Sequence, residues 1–157
     1  MKKILLFIFA AMMCPNCIFA QRGTAYDREA IRCLGVELDG SQTLRVRGYG
    51  RNIFDAKEQA AKNAVWAVIF NGIKDGSKGC NMRPLVAEAN ANEKYEDYFN
   101  TFFTDKGDYS KYISFKDTKR FSRGKSRDKV GTSYDITIRV LRPQLRERLK
   151  TDNIIKD

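Results

Sequence analysis

Between Ile53 and Phe70 the residues Ile53, Ala56, Ala60, Ala61, Ala64, Val65, Val68 and Ile69 recur at steps of three and four, the period of one helix face. A stripe built on alanine at 56, 60 and 64 lets the helix axis come unusually close to whatever it covers, and the natural cover for so flat a face is a sheet. Asn52 is placed to cap the helix start, and Asn71-Gly72 to end it, because both tolerate the left-handed backbone that terminates helices.

The flanking sequence supplies strands. Leu34, Val36 and Leu38 alternate with Gly35, Glu37 and Asp39, then Asp39-Gly40 marks a turn. Thr43 to Gly50 puts Leu44 and Val46 on one face and Arg45, Arg47 and Tyr49 on the other, which predicts a hairpin with a basic outer side. Gly48-Tyr49-Gly50 sits where a strand meets a helix. A dinucleotide fingerprint would require glycine at 53, which is Ile53, and a phosphate loop would require a GK[ST] ending, so the glycines read as close packing at the turn.

Residues 71 to 81, NGIKDGSKGCN, read as an exposed loop tethered by Cys80. Pro84 opens a helical region over Leu85 to Phe103, where Tyr95, Tyr98, Phe99, Phe102 and Phe103 form an aromatic stripe read as core. A long hairpin is expected next, Lys111 to Ser122 against Val130 to Leu141, with Thr132, Tyr134, Ile136, Ile138 and Val140 inward. Pro143 starts a last helix whose line of Leu141, Leu145, Leu149 and Ile154 packs on the sheet, leaving Arg142, Arg146, Arg148 and Lys150 outside. The fold class expected is α+β: a small, mostly antiparallel sheet packed by an alanine-rich helix, an aromatic helix and a C-terminal amphipathic helix.

At the other end of the chain, residues 1 to 20 combine Lys2 and Lys3, an apolar run from Ile4 to Met13 and Ala20, the pattern of a secretory signal peptide. The run is shorter than the ~20 residues a membrane-spanning helix needs, so no transmembrane helix is expected in the mature chain. Cleavage after Ala20 makes Gln21 the mature start, with bulky Ile18 as its one irregular feature. Cys14 follows Met13 and Cys17 follows Asn16, which disfavours lipid attachment, and the Cys14-Pro15-Asn16-Cys17 spacing leaves with the leader. The domain division is thus 1–20 signal peptide and 21–157 a single α+β domain with its core over about 31–155, in a periplasmic, outer-membrane-associated or secreted location.

Export leaves Cys33 and Cys80 as the mature thiols, and an oxidising compartment favours a disulfide between them over two buried free thiols. Two cysteines with no histidine make a poor zinc set, so no metal is expected. The complete absence of histidine also removes the commonest general base. Glu93, Glu96 and Asp97 read as a solvated helix face, leaving a chain that is not expected to be an enzyme or to hold a cofactor.

The mature chain carries 27 basic and 19 acidic residues, a net charge of +8 that attracts polyanions without naming one. Positive charge is densest over 116–129, where Lys116, Lys119, Arg120, Arg123, Lys125, Arg127 and Lys129 outnumber Asp117 and Asp128. Lys119, Arg120, Arg123, Lys125, Arg127 and Lys129 are the candidate partner-binding residues, for an envelope protein or another anionic surface. The bland alternative is a solvated hairpin tip, since edge strands use lysine against aggregation.

RVRGYG followed by DAKEQAAKNAV, and later SYDITIRVLRPQLRERL, resembles the N-terminal domain of the bacterial flagellar assembly protein T and related small outer-membrane lipoproteins, over roughly Thr43 to Ile155. The resemblance implies a compact α+β module for assembly or interaction at the bacterial envelope and carries no catalytic residues. The function expected is an exported, non-enzymatic, envelope-associated interaction module using a basic hairpin or an exposed sheet edge. The alternative is a secreted polyanion or nucleic-acid binder, whose affinity would fall steeply with salt.

Overall fold

The computed structural model describes residues 31–116, 124–128 and 131–156. The fold is α+β. Its sheet runs β3-β1-β2-β6-β4, with β5 also paired to β6, and every pairing is antiparallel except β1 with β3. The strands are β1 Ile31–Val36, β2 Gln42–Tyr49, β3 Asp75–Gly76, β4 Ile113–Ser114, β5 Gly124–Asp128 and β6 Gly131–Val140. The helices are α1 Ile53–Trp66, α2 Ala91–Lys94, α3 Glu96–Phe102 and α4 Arg142–Thr151.

β2 and β6 form the spine, paired from Gln42↔Val140 to Tyr49↔Ser133. Leu44, Val46, Ile136, Ile138 and Val140 turn to one face and are buried beneath the alanine stripe of α1. Asn52 caps α1 as its position predicts, its Oδ1 accepting from the amides of Phe54 at 2.8 Å and Asp55 at 3.0 Å. The helix widens into a π-turn at Ala67–Asn71 and stops at Gly72, whose φ of +68° suits glycine. Widening frees carbonyls that the following chain uses: the amides of Leu85 and Val86 donate to Val68 and Ile69, both at 2.9 Å.

That use of residues 85 and 86 corrects the expected aromatic helix. An extended segment pinned to the π-turn cannot also be helical, so helix resumes only at Ala91 and breaks at Tyr95 into α2 and α3. The stripe itself is core where it is deepest, with Phe99 and Phe102 buried, and Tyr95, Tyr98 and Phe103 pack against it.

The first hairpin is also out of phase with its alternation pattern. Ile31 and Cys33 face the core, an irregularity between Cys33 and Gly35 shifts the register, and Val36 and Leu38 end exposed. The turn is where Asp39-Gly40 puts it, with Gly40 at φ +78° and Asp39 accepting from the Ser41 amide and hydroxyl. A disulfide joins Cys33 in β1 to Cys80, Cα atoms 6.3 Å apart. β3 is a two-residue strand inside the expected loop.

Arg142 departs from the solvated role its helix pattern implies, being 8 % exposed. Its guanidinium donates to Gln42 Oε1 at 3.3 Å and to the Arg83 carbonyl at 2.7 Å, while Gln42 Nε2 donates to the Asn81 carbonyl at 3.0 Å. The chain of bonds ties α4 and β2 to the segment that leaves the disulfide. Burial holds the Arg142 pKa below its ordinary value.

Three exposed carboxylates sit below the usual aspartate range: Asp39 through hydrogen bonds from Ser41, Asp105 through Lys62 and Asp108 through Lys111. The unfolded chain therefore takes up these protons first on acidification. The stabilisation is complete above the ordinary value of 3.8 and is lost as pH falls through the lower folded values. Thermal unfolding should be insensitive to pH between about 6 and 5 and shift to lower temperature by about pH 3. A midpoint that held steady into that acid range would remove the three carboxylates from the stability account.

Candidate functional site

The helices pack their apolar residues into one core with the Leu44 and Ile138 face, and among the described residues none covers the opposite face of the sheet. Strand alternation assigns that second face to Arg32, Thr43, Arg45, Arg47, Ser133, Asp135, Thr137 and Arg139. Four arginines from three adjacent strands therefore share one surface. Thr43, Ser133 and Thr137 form a buried polar floor between them.

Three of the four have acidic neighbours. Arg32 Nε lies 3.3 Å from Asp75 Oδ2, Arg47 Nε 3.1 Å from Asp135 Oδ1, and Arg139 Nη2 3.4 Å from Glu37 Oε1, which also accepts from Thr43 at 3.2 Å. Arg45 stands in the middle, across β1 from Arg32 and across β6 from Thr137. No acidic residue is within ion-pair distance of it among the described residues, and its Nε is buried without a hydrogen-bond partner. A buried guanidinium N–H with no acceptor costs free energy, and a carboxylate or phosphate oxygen is the group best suited to take it. The surrounding pairs are solvent-exposed and individually weak, so an incoming acid can exchange with them.

The structure redraws the basic hairpin. Of the expected first strand over Lys111 to Ser122, the described residues form the end of a 3-10 turn at Asp108–Tyr112 and the short β4, which pairs with the end of β6, while β5 takes the pairing along Gly131 to Asp135. Lys125 pairs with Tyr134 and Arg127 with Thr132 inside that ladder, so these two belong to a sheet edge and not to a loop tip. The reason is register: Asp128 pairs directly with Gly131, and this places Gly124–Asp128 in the sheet. Lys119, Arg120, Arg123 and Lys129 lie outside the described residues.

Sequence reasoning anticipated a basic outer side for β2 without joining it to Arg32 and Arg139. The missing signal was strand pairing, since residues 32, 45 and 139 become neighbours only through the register. Among the described residues no cluster of three or more histidine, cysteine or acidic side chains is arranged to hold a metal, and no helix is long and apolar enough to cross a membrane. Comparisons with protein-family models, curated proteins and solved structures return no match.

Proposed function

We propose that this chain is an exported, non-enzymatic interaction module of the cell envelope that engages an acidic partner through the arginine face of its sheet, with the β5 edge alongside. The observation that carries the reading is Arg45, central among four arginines and without a counter-charge among the described residues. Export is supported by the leader-like residues 1–20 and by the disulfide, which belongs to oxidising compartments. A chain without histidine supports binding over acid–base chemistry. The likeness of RVRGYG and SYDITIRVLRPQLRERL to envelope assembly modules points the same way, and both segments contribute residues to this face.

The test is capture from envelope extracts by the immobilised protein, comparing the wild type with an Arg45→Gln, Arg47→Gln, Arg139→Gln variant and a Lys125→Ser, Arg127→Ser variant. Truncating arginines that anchor an interface typically costs about 2 kcal/mol or more, so the triple variant should lose the same captured species at least tenfold. Equal recovery by all three proteins would overturn the arginine face. Capture that is dominated by nucleic acid and collapses between low and moderate salt would favour the polyanion reading, for which the net charge of +8 on the mature chain is the supporting observation.

A further inference from the structure

A second feature lies in the helical layer, away from the arginines. α1 and the α2–α3 pair enclose a groove of about 400 Å³, within the size range of small-molecule sites. Its floor is aromatic: Trp66 meets Phe103 at 5.4 Å between ring centroids with planes tilted by 52°, and Phe99 lies beneath. Trp66 and Phe103 are partly exposed where their neighbours Val65 and Phe102 are buried, so both reach solvent at the groove.

The rim is polar in a particular way. Asn92, Glu96 and Asn100 follow one another at steps of four along the α2–α3 side, and Asn63 stands one helical turn before Trp66 on α1. None of these side chains makes a hydrogen bond or ion pair with another described residue, nor does Glu93 beside them. Lys62, the one cation on the rim, is already held by Asp105 at 2.6 Å and Glu58 at 3.8 Å. A protein of net charge +10 thus presents here a groove whose uncommitted charges are two carboxylates.

We infer that this groove binds a pyranose oligosaccharide that is neutral or carries amino groups. A pyranose ring has an apolar C–H face, which an open indole or phenyl ring covers, and a rim of hydroxyls that both donate and accept. Amides match both halves of each hydroxyl, and carboxylates accept from hydroxyls or from an ammonium group. The same two carboxylates repel uronates and phosphosugars. The inference is independent of the arginine face, which shares no residue with the groove.

Trp66 is the sole tryptophan of the chain, so its fluorescence reports the groove directly. The purified protein is titrated to millimolar concentrations with cellotriose, the trimers of N-acetylglucosamine and glucosamine, a galacturonate trimer, and choline. A saturable change with a neutral or amino trimer is expected, with galacturonate at least about tenfold weaker. By calorimetry, Trp66→Ala should weaken binding about tenfold while Trp66→Phe restores most of it. Asn63→Ala and Asn100→Ala, both on exposed or partly exposed positions, should weaken binding without changing the thermal melt. No saturable response to any neutral or amino trimer overturns the assignment, as does tightest binding of galacturonate or of choline, or unaltered binding in both asparagine variants.

Discussion

Gly48→Ala is expected to destabilise the fold by about 3 kcal/mol or more, leaving little soluble protein. Gly48 lies on the core face of β2, opposite Tyr134, where the alanine face of α1 comes nearest the sheet. A methyl group there would drive into the Ala56 carbonyl oxygen, with the Ala56 carbonyl carbon at 2.9 Å and the Ala60 methyl at 3.0 Å. The obstacle is helix backbone, which cannot rotate aside, so relief requires moving α1 off the strands it covers. That movement opens the contacts of Ala60, Ala64 and Val65 together. Gly35→Ala is the matched control, since a methyl there meets nothing within 4 Å and should change stability by no more than about 0.5 kcal/mol. Urea denaturation of the two variants side by side decides the matter, and equal midpoints would sink the claim.

Removing the disulfide is the other large effect. The bridge closes a loop spanning a sequence separation of 47, for which the chain-entropy model gives about 4 kcal/mol. The double variant Cys33→Ala, Cys80→Ala should therefore lose roughly that amount, read from denaturant curves in which the slope rises because the uncrosslinked unfolded chain exposes more surface. The loss should be local in its consequences as well. β3 is held to β1 by only two register pairs, and the Gln42–Arg142 bonds fasten the segment directly after Cys80, so proteolysis should cut first between residues 71 and 90. A non-reduced digest should yield the Cys33 and Cys80 peptides joined. Recovery of the two peptides separately, or a loss under about 1 kcal/mol, would contradict this account.

How far the residues alone carry can be judged element by element. The α1 stripe, its Asn52 cap, the Asp39-Gly40 turn and β6 were all readable because each rests on local spacing or on one residue's backbone preference. The pairing of Cys33 with Cys80 was readable from compartment chemistry, given the leader. Elements whose conformation depends on a distant hydrogen-bond partner were not. Residues 85 and 86 look helical until the π-turn carbonyls claim their amides, and Arg142 looks solvated until Gln42 and Arg83 surround it.

The candidate surfaces divide in the same way. The basic residues over 116–129 stand out by density along the chain, which is a one-dimensional quantity, whereas pairing places Lys125 and Arg127 at a sheet edge and not at a loop tip. The arginine face is invisible as a run because its members lie at 32, 45, 47 and 139. The saccharide groove draws on Glu93, Glu96 and the aromatic stripe, which pattern reading assigned to solvent and to core, and it exists only because α1 lies across from α3.

Local order, then, came from the residues: a helix too slender at its alanines to pack on anything but strands, and a strand alternating so regularly that one face had to be buried. Register and layer contacts came from the three-dimensional fold, because they depend on backbone groups far apart in the chain finding each other. Every surface proposed for binding is made of such meetings, and that is why function was the last thing to become legible.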